Sequence, residues 1–208
     1  AFSAVSPNYR AYRDVRVRFT CSAGVCGTTQ TACSTDNFAV RPTGFTISSN
    51  MTNTGQTGTP ALNAGAAFTL TSTAVPGYDG IPSIANALAS GKIFTHIGTS
   101  DVTGMLSLPS GTTPIAMGVA TIATGAVSNA SLRYDDVGNF GILQDGVTDS
   151  SYTSTDQPSD CVVGSGSNTA NSSGKFGCNI SNQSNTALFG RFYPDNYALW
   201  SNTWGTCS

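Results

Sequence analysis

Short runs of alternating apolar and polar residues recur along the 208-residue chain, and glycine, proline, aspartate or asparagine separates them. A period of two is typical of a half-buried β-strand, and the separating residues favour turns. Glutamate is absent and only two lysines occur, so the charged residues that best support helices are scarce. The pattern predicts an all-β protein with strands at residues 13–20, 37–40, 45–48, 67–73, 92–97, 119–123, 130–134 and 139–143.

The strand pattern is most regular between residues 42 and 148, where about six short strands occupy roughly 100 residues. That count is typical of an immunoglobulin-like β-sandwich. We expect three parts. Residues 1–41 form a β segment that either ends a preceding β domain or pairs with the rest, and residues 42–148 form the sandwich. Residues 149–208, rich in Ser, Asn and Gly, form a disulfide-stapled β extension that leads into a next module.

The dipeptide Arg41-Pro42 interrupts two apolar runs and predicts a joint between the first segment and the sandwich. Proline cannot donate a ladder hydrogen bond, and it holds the preceding residue in an extended conformation. Pro42 is therefore expected to fix the angle between the two parts. Residues 195–199 partly repeat residues 36–40, which suggests a second joint near the other end.

Charge is sparse: 10% of the residues are charged, the net charge is −2 and the isoelectric point is near 5.0. This composition argues against nucleic acid as a partner, because no basic face is available for phosphates. The local cluster of Arg10, Arg13, Arg16 and Arg18 alternates with apolar residues and is interpreted as the solvent face of a half-buried strand. No apolar run approaches the roughly 18 residues of a membrane span, so membrane insertion of this segment is not expected.

Six cysteines occur without the short spacing of a zinc knuckle or redox motif: Cys21, Cys26, Cys33, Cys161, Cys178 and Cys207. Disulfides are the expected state, which places the protein in the periplasm or outside the cell. A bridge between Cys161 and Cys178 would contribute about 3 kcal/mol by the chain-entropy estimate. The complete connectivity stays open.

Residues 136–142 resemble the Asp-x-Gly-x-Tyr-x-Cys corner of immunoglobulin-type folds, with Asp136, Gly138, Phe140 and Ile142 at the matching positions. Phe140 lacks the hydroxyl of the usual tyrosine, and Ile142 replaces the disulfide cysteine. Packing alone would therefore hold this corner.

A set of short motifs extends over nearly the whole chain and resembles the large shared domain of MshQ-type proteins. These motifs are Asp14-Val-Arg-Val-Arg18, Cys33-Ser-Thr-Asp-Asn-Phe-Ala-Val-Arg-Pro42, Asn63-Ala-Gly-Ala-Ala-Phe-Thr-Leu70, Tyr134-Asp-Asp-Val-Gly-Asn-Phe140, Asp156-Gln-Pro-Ser-Asp-Cys161, Gly174-Lys-Phe-Gly-Cys178 and Gly190-Arg-Phe-Tyr-Pro-Asp195. MshQ-type proteins are associated with mannose-sensitive haemagglutinin (MSHA) type IV pili. The resemblance implies an exported, pilus-associated bacterial protein with a role in adhesion or pilus assembly, of which this chain is a piece. It supplies no catalytic residues.

Catalytic chemistry is not expected, because the only histidine, His96, has no acidic neighbour and no nucleophile elbow near it. Four aspartates within fifteen residues, Asp135, Asp136, Asp145 and Asp149, are better candidates for calcium than for hydrolysis. Ca²⁺ prefers several oxygen ligands, although no EF-hand loop is present. Calcium is thus the only candidate cofactor, and otherwise none is expected.

Aromatic residues near the end of the chain are candidates for glycan binding: Tyr193, Tyr197, Trp200 and Trp204, with Asn196 and Asn202 beside them. Aromatic rings offer apolar faces with polar edges, which suits sugars.

Together these observations predict a non-catalytic extracellular segment of a pilus-associated adhesin or biogenesis protein, exported through the periplasm and acting as a stalk or tip module. Its expected partners are other pilus or cell-surface modules. One alternative is a glycan-binding module. Another is an assembly module in which an open sheet edge of residues 1–41 accepts a partner's strand.

Overall fold

The computed structural model describes residues 8–51, 61–87, 90–95, 102–111 and 113–196. These residues form one short helix, α1 (Ala23–Cys26), and the strands β1 (Tyr12–Val15), β2 (Arg18–Cys21), β3 (Gln30–Cys33), β4 (Phe38–Val40), β5 (Thr46–Ser49), β6 (Leu62–Asn63), β7 (Ala67–Thr73), β8 (Ser83–Ile84), β9 (Ile93–Thr95), β10 (Leu106–Ser107), β11 (Ile115–Ala116), β12 (Ala126–Tyr134), β13 (Gly138–Ile142), β14 (Val147–Asp149), β15 (Ile180–Ser181) and β16 (Phe189–Tyr193). The all-β sandwich expected from the sequence is confirmed.

The strands assemble into three four-stranded sheets and two ribbons. The sheets have the orders β10-β12-β7-β5, β6-β16-β13-β9 and β11-β8-β14-β15, while β1 pairs with β4 and β2 with β3. The pairs are antiparallel except for β16 with β6, which is parallel. The longest ladder joins β7 to β12, so these two strands form the backbone of the first sheet.

Aromatic side chains join the first two sheets. The ring of Phe68 in β7 lies 5.7 Å from that of Phe140 in β13 and 5.4 Å from that of Phe192 in β16, between centroids. Tyr134 in β12 stacks on Phe140 at 4.8 Å. The alternation along β7 explains this contact, because every second residue from Phe68 points inward and is buried.

The corner expected at residues 136–142 is held by packing. Gly138 adopts a φ of 90°, which favours glycine, and the chain then enters β13 with Phe140 and Ile142 fully buried. Phe140 and Ile142, which stand where the immunoglobulin pattern has tyrosine and cysteine, thus place apolar groups in the core.

Two strand predictions were wrong in detail. The run at 13–20 divides into β1 and β2, which have different partners, and the Ser34 hydroxyl accepts a hydrogen bond from the Val17 amide at the division, at 3.0 Å. The run at 119–123 forms no strand: Thr121 makes one isolated bridge with Ala126, and in the turn between them the Gly125 amide donates to the Thr121 carbonyl at 2.7 Å. Gly125 has a φ of 67°, and any side chain there would meet the carbonyl of Val75.

The boundary predicted at 148/149 does not divide the packing. Strand β16 lies inside a sheet, between β6 and β13, and Phe189 and Phe192 are core residues. The first segment contributes Ala11 to the same buried cluster. Residues 149–193 are therefore part of the main body and are not an extension from it. The composition shift reflects the polar loops around the disulfide, because the strands that follow are apolar.

No helix among the described residues is long and apolar enough to cross a membrane.

Candidate functional site

Arg13 in β1 connects the sandwich to the two-stranded sheet of β1 and β4, which we call the first ribbon. Its Nε donates to Asp79 Oδ1 at 2.7 Å, and its Nη2 donates to the Asp79 carbonyl at 3.1 Å. Nη1 donates to the carbonyl of Ser151. The guanidinium also lies 4.6 Å from the centroid of the Tyr152 ring, within the range of a cation–π contact. One side chain from the first segment therefore contacts two distant loops at once.

Arg41 makes a second connection directly after β4. Its Nη2 donates to the Asp156 carboxylate and, at 3.1 Å, to the carbonyl of Tyr152. Only 20% of the Arg41 side chain and 13% of the Asp156 side chain are exposed, so solvent screens this ion pair weakly. The neighbouring Pro42 is buried. An ion pair therefore lies directly at the predicted joint. We call Arg13, Arg41, Asp79, Tyr152 and Asp156 the arginine clamp.

A buried polar network lies beside the clamp. The Tyr78 hydroxyl donates to Asp149 Oδ2 at 2.8 Å, and the Ser151 hydroxyl donates to the same oxygen at 2.6 Å. The Ser151 amide donates to Asp149 Oδ1 at 2.9 Å. Gly80 is required here, because a side chain at that position would collide with the Asp149 carboxylate and the Tyr78 hydroxyl.

Burial and neighbouring carboxylates keep the tyrosines of this region neutral. Burial first, and then the charge of Asp149, raises the pKa of Tyr78 well above its ordinary value. Burial raises the pKa of Tyr152 to about 12. The Tyr152 hydroxyl donates to Asp79 Oδ1 at 3.0 Å. Each acidic group of the network is engaged by donors, so the arrangement positions loops and offers no free base.

The structure does not bring together the four aspartates predicted to bind calcium. Asp135 and Asp136 precede β13, whereas Asp145 follows it, so the five-residue strand separates them. Asp136 accepts a hydrogen bond from the Val137 amide at 2.7 Å, and Asp145 accepts one from the Ser181 hydroxyl at 2.5 Å. Asp149 is buried in the network described above. Asp135 and Asp136 therefore lie at one end of β13 and Asp145 at the other, while Asp149 ends β14, so calcium binding by these four residues stays a prediction without a grouped site among the described residues.

Another group of potential ligands among the described residues is Asp156 with Cys161 and Cys178. The two sulfurs form a disulfide, and Asp156 is paired with Arg41. Disulfide sulfurs are not thiolates, so this group does not fit a metal ion.

The cysteines form two described bridges. Cys161 is bonded to Cys178, as expected, with Cα atoms 5.1 Å apart, and Cys21 is bonded to Cys26 with Cα atoms 6.0 Å apart. Cys33 is exposed and free. Cys207 lies outside the described residues, as does His96.

The glycan prediction falls partly outside the described residues. Tyr193, at the end of β16, and Asn196 are exposed. Nearby, the Asn63 side-chain amide donates to Asp195 at 2.6 Å. The remaining predicted residues, Tyr197, Trp200, Trp204 and Asn202, are not among the described residues.

The clamp residues were not predicted from the sequence. Arg13 was assigned to a solvent face, but it is half-buried, while the other three arginines of the cluster, Arg10, Arg16 and Arg18, are exposed. Its partners lie 66 and 138 residues away, so no local pattern could reveal them. The one available signal was the position of Arg41 beside Pro42 at the predicted joint.

Comparison with protein-family models, with curated proteins and with solved structures yields no match for this chain.

Proposed function

We propose that the chain is a non-catalytic extracellular module of a pilus-associated surface protein, serving attachment as a stalk or tip element. The observation that carries this proposal is the arginine clamp. It fastens β1 and the joint after β4 to the loop at residues 149–156, while β16 lies between two strands of a core sheet. Both ends of the described chain therefore enter one packed body.

Such an arrangement suits a module that transmits force. A pull applied between the first and last described strands acts on ladders and on the clamp, because no flexible linker separates them from the core. The bond between Cys161 and Cys178 also prevents the intervening loop from extending under load. Disulfides of this kind form and persist outside the cytoplasm. The MshQ-like motif order supports a pilus-associated setting for the module.

The attachment role is tested by deleting the segment in frame from its parent gene. Antibodies raised against the purified chain should label intact cells and sheared pilus fractions, and cells that lack the segment should attach less. Normal attachment by the deletion strain, or antibody labelling confined to the cell interior, would refute the proposal.

The mechanical part is tested by stretching single molecules with and without a reductant. Reduction of the bond between Cys161 and Cys178, 17 residues apart in sequence, should add roughly 60 Å of contour length. A Cys161→Ala/Cys178→Ala variant should show the longer contour without reductant. Unchanged contour length would show that this loop does not lie in the force path.

Glycan binding is a second candidate, favoured by the exposed Tyr193 ring beside Asn63 and Asp195. A glycan array probes it directly. Binding that is lost in Tyr193→Ala or Trp204→Ala would support a sugar site at this end, whereas an array without binding would argue against it.

A further inference from the structure

The charges of this chain are unevenly distributed. Residues 1–41 hold five of the nine cationic side chains but only two of the eleven aspartates, whereas residues 42–208 hold four cationic side chains and nine aspartates. The formal charge is thus +3 on the first segment and −5 on the rest. Arg13 and Arg41 are already paired with Asp79 and Asp156 within the chain, so +1 and −3 remain outside these pairs. Opposite charges on two parts of one molecule favour contacts between copies.

The positive part includes the two-stranded ribbon of β2 and β3, which projects from the body and is called the ribbon below. In β2 and β3 every residue except Cys21 is exposed, and no residue of α1 at the ribbon tip is buried. Phe19 and Val25 are 58% and 83% exposed. Among the described residues, β2 pairs only with β3. An isolated two-stranded ribbon is marginally stable in water, so this one gains stability if its apolar side chains are covered.

The ribbon is nevertheless firmly mounted. The Ser34 amide donates to the Val17 carbonyl at 2.8 Å, and the Val17 amide donates to the Ser34 hydroxyl at 3.0 Å. The disulfide between Cys21 and Cys26 closes the tip. Part of the ordering cost of binding is therefore already met before a partner arrives.

A complementary surface lies at the turn between β12 and β13. The amide of Asp135 donates to the carbonyl of Met105 at 2.8 Å, which brings two short loops together. Met105 and Val137 are 41% and 49% exposed, and the Asp135 and Asp136 side chains lie beside them. We call Met105, Asp135, Asp136 and Val137 the acidic patch. It combines apolar contact area with negative charge.

We infer that the ribbon of one copy docks on the acidic patch of a second copy. Both surfaces are exposed within one chain, so the ribbon does not cover its own patch. Phe19 and Val25 supply apolar contact to Met105 and Val137. The exposed Arg16 and Arg18, just before and at the start of β2, attract the carboxylates over roughly a Debye length of 10 Å. Because different surfaces meet, the association is head-to-tail and continues from copy to copy.

Strand addition at β10, next to the acidic patch, is disfavoured. The Asn86 side chain occupies that edge by donating to the Leu106 carbonyl and accepting from the Gly104 amide. Side-chain docking on the patch therefore explains the exposed ribbon better than an added strand at this edge.

Sedimentation velocity of the purified full chain tests the inference, in a Cys33→Ser/Cys207→Ser background that excludes disulfide-linked dimers. The mean mass should rise with protein concentration and fall with salt. A ribbon variant, Arg16→Asp/Arg18→Asp, and a patch variant, Asp135→Lys/Asp136→Lys, should each be monomeric. Phe19→Ser/Val25→Ser should weaken association at least about tenfold at every salt concentration. Asp160→Lys, which lies outside both surfaces, should behave as the parent chain.

Mixing the ribbon variant with the patch variant is the decisive arm. Each retains one intact surface, and the two altered surfaces carry exchanged charges, so the mixture should associate although each variant alone stays monomeric. A parent chain that stays monomeric at all concentrations, or a mixture that does not pair although both variants melt like the parent, would overturn the inference. The measurement uses only purified chain, so its outcome is independent of the attachment role proposed above.

Discussion

The side chains of Arg13 and Asp79 meet at 2.7 Å, although 66 residues separate them in the sequence. The first belongs to a two-stranded ribbon that has little core of its own, and the second belongs to a loop of the sandwich. Their contact, with the parallel one between Arg41 and Asp156, joins the two parts into one body.

Replacing Arg41 with methionine should cost about 2 to 3 kcal/mol, because the Asp156 carboxylate is largely buried and would lose its cation. Urea unfolding measures the loss. The control Arg16→Met removes an exposed arginine and should change stability by less than about 0.5 kcal/mol.

The double variant Arg41→Met/Asp156→Leu should recover part of the stability lost in Arg41→Met, because it removes the unpaired charge as well. If Arg41→Met and Asp156→Leu were each neutral on their own, the ion pair would be no part of what holds the joint.

Removing the hydroxyl of Tyr78 and removing that of Tyr134 should have different effects on the free energy of unfolding. Tyr78→Phe removes a donor to the Asp149 carboxylate and should cost about 1.5 to 3 kcal/mol. Tyr134→Phe should be neutral or stabilising, because its buried hydroxyl has no hydrogen-bond partner within the described chain. Thermal and urea unfolding of the two variants provide the comparison, and equal destabilisation would contradict it.

Stability should fall steeply at alkaline pH. Burial raises the pKa of Tyr78 and of Tyr134 well above the ordinary value and that of Tyr152 to about 12. Above about pH 10 the unfolded chain releases these protons while the folded chain keeps them, so folding loses roughly 1.4 kcal/mol per pH unit for each tyrosine. Below that pH these tyrosines are protonated in both states, so they do not make the stability depend on pH.

Urea unfolding at a series of pH values from about 8 to 11.5 tests this expectation. The slope above pH 10 should be smaller in Tyr134→Phe than in the parent chain. A stability that stays constant up to pH 11.5 would show that the three hydroxyls are accessible in the folded state.

The two disulfides should contribute unequally. Cys161→Ala/Cys178→Ala should lower the free energy of unfolding by about 3 kcal/mol, since this bridge closes a 17-residue separation in a loop packed on the body. Cys21→Ala/Cys26→Ala should change the global transition by less than about 1 kcal/mol, because the exposed ribbon opens locally. Calorimetry of both variants shows which disulfide contributes more to stability.

Local features were predictable from the sequence, whereas long-range partners were not. The alternation around Phe68 and the turn at Gly138 predicted β7 and β13 correctly, because side-chain period and turn chemistry are properties of neighbouring residues. The break after Val15 was missed, because it depends on a hydrogen bond from Val17 to Ser34.

The site was less predictable for the same reason. The calcium prediction relied on closeness in sequence, but a strand separates Asp136 from Asp145 in space. The predicted boundary at 148/149 followed a change in composition, although a polar loop and the buried β16 both lie beyond it. The partners of Arg13 are set by how β1 meets two distant loops, which no local pattern records.

Hydrogen exchange along the native chain tests the central claim that the clamp joins the first ribbon to the sandwich. In the parent chain, amides of β1 and β4 should open with nearly the same free energy as those of β7 and β12. In Arg13→Met/Arg41→Met the amides of β1 and β4 should exchange far faster, while those of β7 and β12 stay protected. The control Arg10→Met/Arg16→Met should match the parent. Fast exchange of β1 and β4 in the parent, unchanged by loss of both clamp arginines, would contradict the account.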